Sequence, residues 1–153
     1  PEAVVDDNVA VLQGLDGRKM SKSYNNTIPL FEGEKKLRKS INKIKTNLLE
    51  PGQAKDPDTA TVFQVWQAFA SAKQRAEMRS ELEAGLAWGE AKKRLFELVN
   101  TELDEPRQRY ETLLANPAAM EKLLRTGADK ARDCSRSLLS EVKRAVGIGA
   151  MGA

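Results

Sequence analysis

Apolar residues recur at helical spacing along most of the chain, from about residue 34 to about residue 146. In the first of these stretches Leu37, Ile41, Ile44 and Leu48 fall three or four positions apart, and most of the lysines lie outside that stripe. This spacing predicts an amphipathic helix over residues 34–46. The same pattern predicts further helices over residues 58–70, 71–84, 89–114, 117–126 and 129–146.

Capping and breaking residues set the expected ends of these helices. Asp58 and Ser71 stand at N-cap positions, where their side-chain oxygens can accept a hydrogen bond from the first helical turn. Asn116-Pro117 is a strong start signal, because proline fits the first position of a helix. Pro106 is expected to kink or restart the fourth helix, and Gly127 is expected to end the fifth.

The first residues show a different pattern. The β-branched pair Val4-Val5 and the run Val9–Leu12 predict a strand, or extended chain at the edge of a sheet, over residues 4–12. The segment Gly14–Arg18 then interrupts regular structure, and no later segment has a strand pattern. The expected fold class is therefore mainly α, a helical bundle preceded by one strand and a glycine-flanked basic loop.

The inventory of side chains excludes several kinds of chemistry. The 153 residues include one cysteine and no histidine, so Ser-His-Asp and Cys-His catalytic pairs and histidine-ligated metal centres are excluded. The single cysteine, Cys134, cannot form an internal disulfide framework or a cysteine zinc site, which indicates a reducing, cytoplasmic setting. No apolar run reaches the roughly 18 residues that a membrane-spanning helix needs.

Positive charge is concentrated in one part of the chain. Residues 18–55 contain ten basic and three acidic side chains, a net charge of +7, whereas the rest of the chain carries a net charge of −4. Such a local excess indicates either an anionic partner at that place or a solvated, lysine-rich helix face.

The segment Gly17–Ser23 is the part of the sequence that carries chemistry. Lys19 and Lys22 are interleaved with two hydroxyl side chains, Ser21 and Ser23, and glycines precede them. Ammonium groups neutralise phosphate charge, while hydroxyls and exposed backbone N–H groups donate hydrogen bonds to phosphate oxygens. The segment therefore predicts a site for a phosphate chain, although a solvated basic turn would have a similar composition.

The run Lys19-Met20-Ser21-Lys22-Ser23 matches, letter for letter, the KMSKS signature of the class I aminoacyl-tRNA synthetases. The flanking segments 14–18 and 24–28 also resemble that family. Asp56-Pro57-Asp58-Thr59 and Trp88-Gly89-Glu90-Ala91-Lys92 resemble the bacterial tryptophanyl-tRNA synthetase family more than its tyrosyl relative. The resemblance extends over essentially the whole chain.

This resemblance implies a tryptophan–tRNA ligase, which activates tryptophan with ATP and transfers it to tRNA-Trp. It implies that Lys19 and Lys22 act as the catalytic residues by stabilising the departing pyrophosphate. The residues that it implies for binding ATP are Lys19, Met20, Ser21, Lys22, Ser23 and Leu15, the last of these near the adenine. It also implies Mg²⁺ with the ATP and a homodimer for the complete enzyme.

The family has a second signature, HIGH, which needs histidines and is absent from this chain. The chain begins with Pro1 rather than methionine. We therefore expect the C-terminal portion of such an enzyme. Residues 1–30 would be the remnant of a truncated Rossmann-type domain, with its last strand and the KMSKS loop, and residues 31–153 an all-helical domain that recognises the tRNA anticodon. Alone, the chain is expected to be inactive.

Two other interpretations remain open at this point. The chain could derive from a tyrosyl-tRNA synthetase, which has the same signature. It could instead be a non-catalytic helical RNA-binding module whose basic loop only resembles the motif.

Overall fold

A computed structural model of the chain describes residues 2–4 and 11–149, and over these residues the protein is mainly helical, as the sequence predicts. In these ranges six α-helices follow a 3₁₀ turn at Lys22–Tyr24. Their bounds are α1 Glu34–Asn42, α2 Thr61–Phe69, α3 Ala72–Glu83, α4 Trp88–Glu102, α5 Asp104–Leu114 and α6 Pro117–Ala145.

The strand predicted over residues 4–12 is not confirmed. Residues 5–10 lie outside the described part of the chain. In the described ranges, β structure is limited to an isolated antiparallel bridge between Gln13 and Lys19. Gln13 lies directly after the predicted segment, and the bridge pairs it with Lys19, the first lysine of the basic motif.

The chain divides into two compact units, Pro1–Gln108 and Arg109–Ala153. In the first unit, α4 packs against α1 and α2, and α2 also packs against α3. Their buried faces carry aliphatic and aromatic side chains that form one core. Its members are Leu37, Ile41, Ile44, Val62, Phe63, Val65, Trp66, Ala70, Met78, Leu82, Ala91, Leu95, Phe96, Val99 and Leu103.

A buried lysine organises the connection between α1 and α2. Lys55 is only 2% exposed, and its Nζ donates hydrogen bonds to the carbonyl oxygens of Glu50 and Gln53, both at 2.9 Å, and of Gly85 at 3.4 Å. Three carbonyl acceptors offset the cost of removing an ammonium group from water. Lys55 belongs to the basic segment of the sequence, but its charge faces the interior and is not available to an external anion.

Two predicted helix ends differ from the structure. α1 ends at Asn42, so Leu48 lies in the following loop and is 96% exposed rather than part of the apolar stripe. α2 begins at Thr61, and Asp58 does not cap it, because the Asp58 carboxylate accepts hydrogen bonds from the Arg79 guanidinium on α3. A charged partner distant in sequence therefore competes with the local cap.

Ser71 caps α3 as predicted. Its side chain accepts a hydrogen bond from the backbone N–H of Gln74, and the Gln74 side chain accepts one from the N–H of Ser71, which completes a capping box. Helix α3 is followed by Gly85 at φ +100°, a conformation that favours glycine. A side-chain carbon at Gly85 would lie 2.5 Å from the backbone of Gly52, so this position also requires glycine for space.

The C-terminal helices confirm one prediction and correct another. The helix restarts near Pro106 as predicted, because α4 ends at Glu102 and α5 begins at Asp104, which places Pro106 in the first turn, where it needs no hydrogen-bonded N–H. Asn116 caps α6 and Pro117 begins it, as predicted, but α6 continues through Gly127 to Ala145. The interior glycine costs about 1 kcal/mol relative to alanine, which the flanking helix-forming residues tolerate. No helix in the described ranges is long and apolar enough to span a membrane.

Leu95 tests the core of the first unit, because it is fully buried at the centre of α4. Leu95→Ala should lower the free energy of unfolding of this unit by about 2–5 kcal/mol through lost burial and a new cavity. Urea unfolding followed by tryptophan fluorescence measures this, since Trp66 and Trp88 both belong to the unit. Leu123→Ala is the matched control, because Leu123 is 70% exposed on α6. Equal losses in the two variants would contradict this assignment of the core.

Candidate functional site

The basic motif lies in a short hairpin, which we call the KMSKS loop and define as residues 12–26. Its two arms are joined by the Gln13–Lys19 bridge and by a hydrogen bond of 2.8 Å from the Met20 N–H to the Leu12 carbonyl oxygen. At the tip, Gly17 adopts φ +84° and donates its N–H to the Gly14 carbonyl oxygen at 3.0 Å. The glycines that precede the motif in the sequence therefore form its turn.

Asn26 holds the loop together from inside. Its side chain is 2% exposed, and its Nδ2 donates to the Asp16 carboxylate at 2.7 Å and to the Lys19 carbonyl oxygen at 3.2 Å. Its Oδ1 accepts the Ser21 N–H at 2.8 Å. The amide comes so close to Gly14 that a side-chain carbon there would lie 2.4 Å from it. One amide thus connects both arms of the loop.

Asp16 has its charge stabilised by two neighbours. Besides the Asn26 amide, the Arg18 guanidinium contacts its carboxylate at 2.7 Å, and Arg18 also stacks on the Tyr24 ring, 4.4 Å from its centroid. The hydrogen bond from Asn26, with smaller contributions from Arg18, lowers the pKa of Asp16 from 3.8 to about 2, against the opposing effect of partial burial. Asp16 therefore stays ionised at neutral pH, and Arg18 is engaged within the loop.

Lys19 and Lys22, the two predicted catalytic residues, are both exposed. Lys19 lies on the second arm of the hairpin, and Lys22 begins the 3₁₀ turn. Within the described ranges, neither ammonium group has a hydrogen-bond or ion-pair partner, in contrast to Arg18. The loop therefore presents two exposed positive charges on a backbone that internal hydrogen bonds hold in place.

The other predicted ATP-binding residues have different environments. Ser21 caps the 3₁₀ turn, and its Oγ accepts the N–H of Ser23 at 3.2 Å, so both serines shape the turn that carries Lys22. Met20 lines an apolar cavity between the loop and the helices. Leu15 is half-buried and packs against the helical core. The contact of Leu15 with adenine remains a prediction.

The loop offers poor ligands for Mg²⁺. Asp16 is the one carboxylate among residues 12–26, and both of its oxygens already accept hydrogen bonds, from Asn26 and Arg18. Magnesium is bound in proteins mainly through free carboxylates together with substrate phosphates. The residues of the loop therefore do not fit a protein-held Mg²⁺ ion.

Sequence reasoning missed three contacts that position the loop. Asn26 belongs to the segment that flanks the motif, and nothing in its local sequence signals burial. Thr61 donates its Oγ1 hydrogen to the Gln13 Oε1 at 2.6 Å, and the Lys45 N–H donates to the Leu15 carbonyl oxygen at 2.8 Å. These last two contacts join residues far apart in the chain, which periodicity and spacing cannot detect.

Comparison with protein families identifies the segment that contains the loop. The family model described as tRNA synthetases class I (W and Y) matches residues 2–104 of this chain.

The sequence relatives are tryptophan–tRNA ligases, one of the two kinds of enzyme in that family. Tryptophan–tRNA ligase of Neisseria meningitidis is 54% identical over 97% of this chain, and that of Pseudomonas aeruginosa is 53% identical over 97% of it. The chain spans 44% of the first relative and 33% of the second, so it corresponds to less than half of either protein. These relatives do not favour the tyrosyl and non-catalytic alternatives.

Solved structures agree with the sequence relatives. A crystal structure of Campylobacter jejuni tryptophanyl-tRNA synthetase complexed with ADP and tryptophan superimposes with a TM-score of 0.86 at 36% identity, covering 96% of this chain and 46% of that one. The resemblance predicted from the KMSKS run and from the tail motifs is thereby confirmed. The chain belongs to the class I tRNA synthetases of the tryptophan and tyrosine family.

Proposed function

We propose that this chain is part of a tryptophan–tRNA ligase and that its KMSKS loop binds the phosphates of ATP while tryptophan is activated. The complete enzyme would form tryptophanyl-adenylate and pyrophosphate and then transfer the tryptophanyl group to tRNA-Trp. It would act in the cytoplasm and as a homodimer. The relatives bear the name of this activity, and the geometry of the loop supports the role of this part.

The observation that carries the proposal is the exposure of two unpaired ammonium groups on a loop with a hydrogen-bonded backbone. Lys19 and Lys22 have no partner in the described ranges, whereas the neighbouring Arg18 is paired with Asp16. A pair of free cations on an ordered backbone can meet a polyphosphate with little reorganisation, which favours electrostatic stabilisation.

Each lysine would stabilise charge that develops on the phosphates. When the tryptophan carboxylate attacks the α-phosphorus, the bond to the bridging oxygen breaks and negative charge grows on the pyrophosphate that leaves. An ammonium group close to those oxygens lowers the energy of that state more than the energy of bound ATP. Lys22 is the better candidate for this contact because it is exposed and begins the 3₁₀ turn, three residues after the Gln13–Lys19 bridge.

The basic face of α1 supports a role in tRNA binding. Lys35, Lys39 and Lys43 are exposed and have no ion-pair partner in the described ranges, whereas Lys36 and Arg38 pair with Glu32 and Glu34. Unpaired lysines on one short segment provide contacts for a phosphate backbone. We also propose, from the family resemblance, that residues 31–153 recognise the anticodon and that residues 1–30 complete a nucleotide-binding domain.

Removal of the lysines tests the proposal. The chain would be joined to the part of the Neisseria meningitidis enzyme that it does not match, and pyrophosphate exchange would be measured with tryptophan and ATP. Lys19→Ala and Lys22→Ala should each lower the exchange rate about ten- to a hundredfold, because each charge-assisted contact contributes about 1.5–3 kcal/mol. The chain alone should show no exchange.

Two controls accompany this measurement. Lys73→Ala removes a lysine whose side chain is 86% exposed on α3, and it should leave the exchange rate unchanged. Binding of tRNA by the Lys19→Ala, Lys22→Ala pair should also be nearly unchanged. A flattened salt dependence of tRNA binding together with normal exchange would instead identify the loop as a general RNA contact.

Asp16 makes the order of the loop dependent on pH. Its pKa of about 2 lies below the ordinary value of 3.8, so the hydrogen bonds to its charged form stabilise the loop above about pH 4 and are lost as the pH falls towards 2. Asn26→Ala removes the largest cause, and the pKa of Asp16 should rise towards 3.8. Carbon-13 NMR of the aspartate carboxyl groups measures the midpoint.

Asp58 is the internal control in the same spectra. The hydrogen bond from Arg79 lowers its pKa independently of Asn26, so its midpoint should not change in the variant. An unchanged midpoint for Asp16 in Asn26→Ala would contradict the assignment of Asn26 as the residue that holds the loop.

A further inference from the structure

One face of α2 contacts the KMSKS loop at two places. At the start of the helix, Thr61 is 6% exposed, and its Oγ1 donates a hydrogen bond of 2.6 Å to Gln13 Oε1 on the first arm of the loop. The tip of the hairpin also approaches this residue, because a side-chain carbon at Gly17 would lie 3.8 Å from Thr61 Oγ1.

The second connection between α2 and the loop is a shared apolar cavity, which lies further along the helix. Met20, on the second arm, lines a cavity of about 180 Å³ together with Val65, Ala68 and Phe69 of α2. Ile41 of α1 and Val99 of α4 also line this cavity, and both belong to the core of the first unit. Residues 61, 65, 68 and 69 are spaced as one helical face, and both contacts are therefore made by the same side of α2.

The two contacts flank a single functional side chain. Gln13 pairs with Lys19 across the hairpin, and Met20 directly follows Lys19. Lys22 lies outside this arrangement, because the 3₁₀ turn that carries it is held by Ser21 and Asn26 within the loop itself. The position of Lys19 thus depends on α2 in addition to the Asn26 amide, whereas the turn that carries Lys22 is held by contacts within the loop.

We propose that Thr61 and Met20 are positioning residues through which α2 sets where the Lys19 ammonium group meets the phosphates. This inference rests on the proposed function of the loop and adds a division of labour between its two lysines. The cavity beside Met20 allows the second arm of the loop to change its position, because a flexible thioether side chain can keep apolar contacts while that arm shifts. A movement of α2 would then shift Lys19 more than Lys22.

The first measurement is on the loop itself, in this chain. Thr61→Val removes the hydroxyl at nearly constant volume, and Thr59→Val is the matched control, since the Thr59 hydroxyl bonds to Asp56. In Thr61→Val, amide hydrogen exchange of Met20, whose N–H bonds to Leu12, should become about three- to tenfold faster. The Asn25 amide of the 3₁₀ turn should keep its rate. Equal acceleration at both amides, or none at Met20, would overturn the positioning role.

The second measurement is the affinity for inorganic tripolyphosphate, followed by NMR of the same chain. Thr61→Val and Met20→Ala should each weaken binding about three- to tenfold, and Met20→Leu should restore most of the loss. In a Lys19→Ala background Thr61→Val should have no further effect, whereas in a Lys22→Ala background its effect should be complete. A merely structural role predicts the same loss in both backgrounds, which would refute the proposal.

The two measurements separate the two hypotheses. If the unaltered chain binds no tripolyphosphate, or if Lys19→Ala and Lys22→Ala leave binding unchanged, the proposed function of the loop fails. The exchange rate of the Met20 amide then still decides whether α2 positions the arm that carries Lys19.

Discussion

The order of the KMSKS loop depends on one buried amide, that of Asn26. It satisfies a carboxylate, a carbonyl and an N–H group from different parts of the KMSKS loop. Because an unsatisfied buried polar group costs about 1–3 kcal/mol, the three partners are held together or lost together. Asp16 in turn engages Arg18, and this leaves Lys19 and Lys22 as the loop cations without a partner among residues 2–4 and 11–149. The internal pairing of one set of charges therefore determines which charges remain available to a ligand.

The helical unit supports the loop. Leu12, Leu15 and Ile28 pack against its core, and hydrogen bonds from Thr61 and from the Lys45 N–H reach the first arm. Lys55 plays a comparable part elsewhere in the unit, where its ammonium group joins the connection between α1 and α2 to Gly85. Polar contacts between distant segments thus place the loop on a core that aliphatic packing stabilises.

The sequence predicted the helices well where the signal was local. The Ser71 cap, the Asn116-Pro117 start and the apolar faces of α2 and α4 follow from residues within a few positions of one another. The errors arose where a distant group competed, as at Asp58, whose carboxylate pairs with Arg79. At Gly127 the error was one of degree, because a cost of about 1 kcal/mol does not end a helix with good formers on both sides.

The sequence by itself determined the family, the KMSKS motif and the mainly helical fold, because a short run such as Lys19–Ser23 and a helical stripe are encoded by neighbouring residues. Only the tertiary structure decided which charges are free. The buried Lys55 ammonium group donates a hydrogen bond to the carbonyl oxygen of Gly85, 30 positions away in the sequence. Thr61 donates one to Gln13, 48 positions away. Such contacts have no local signature, since they exist only after the core has brought α2 and the loop together.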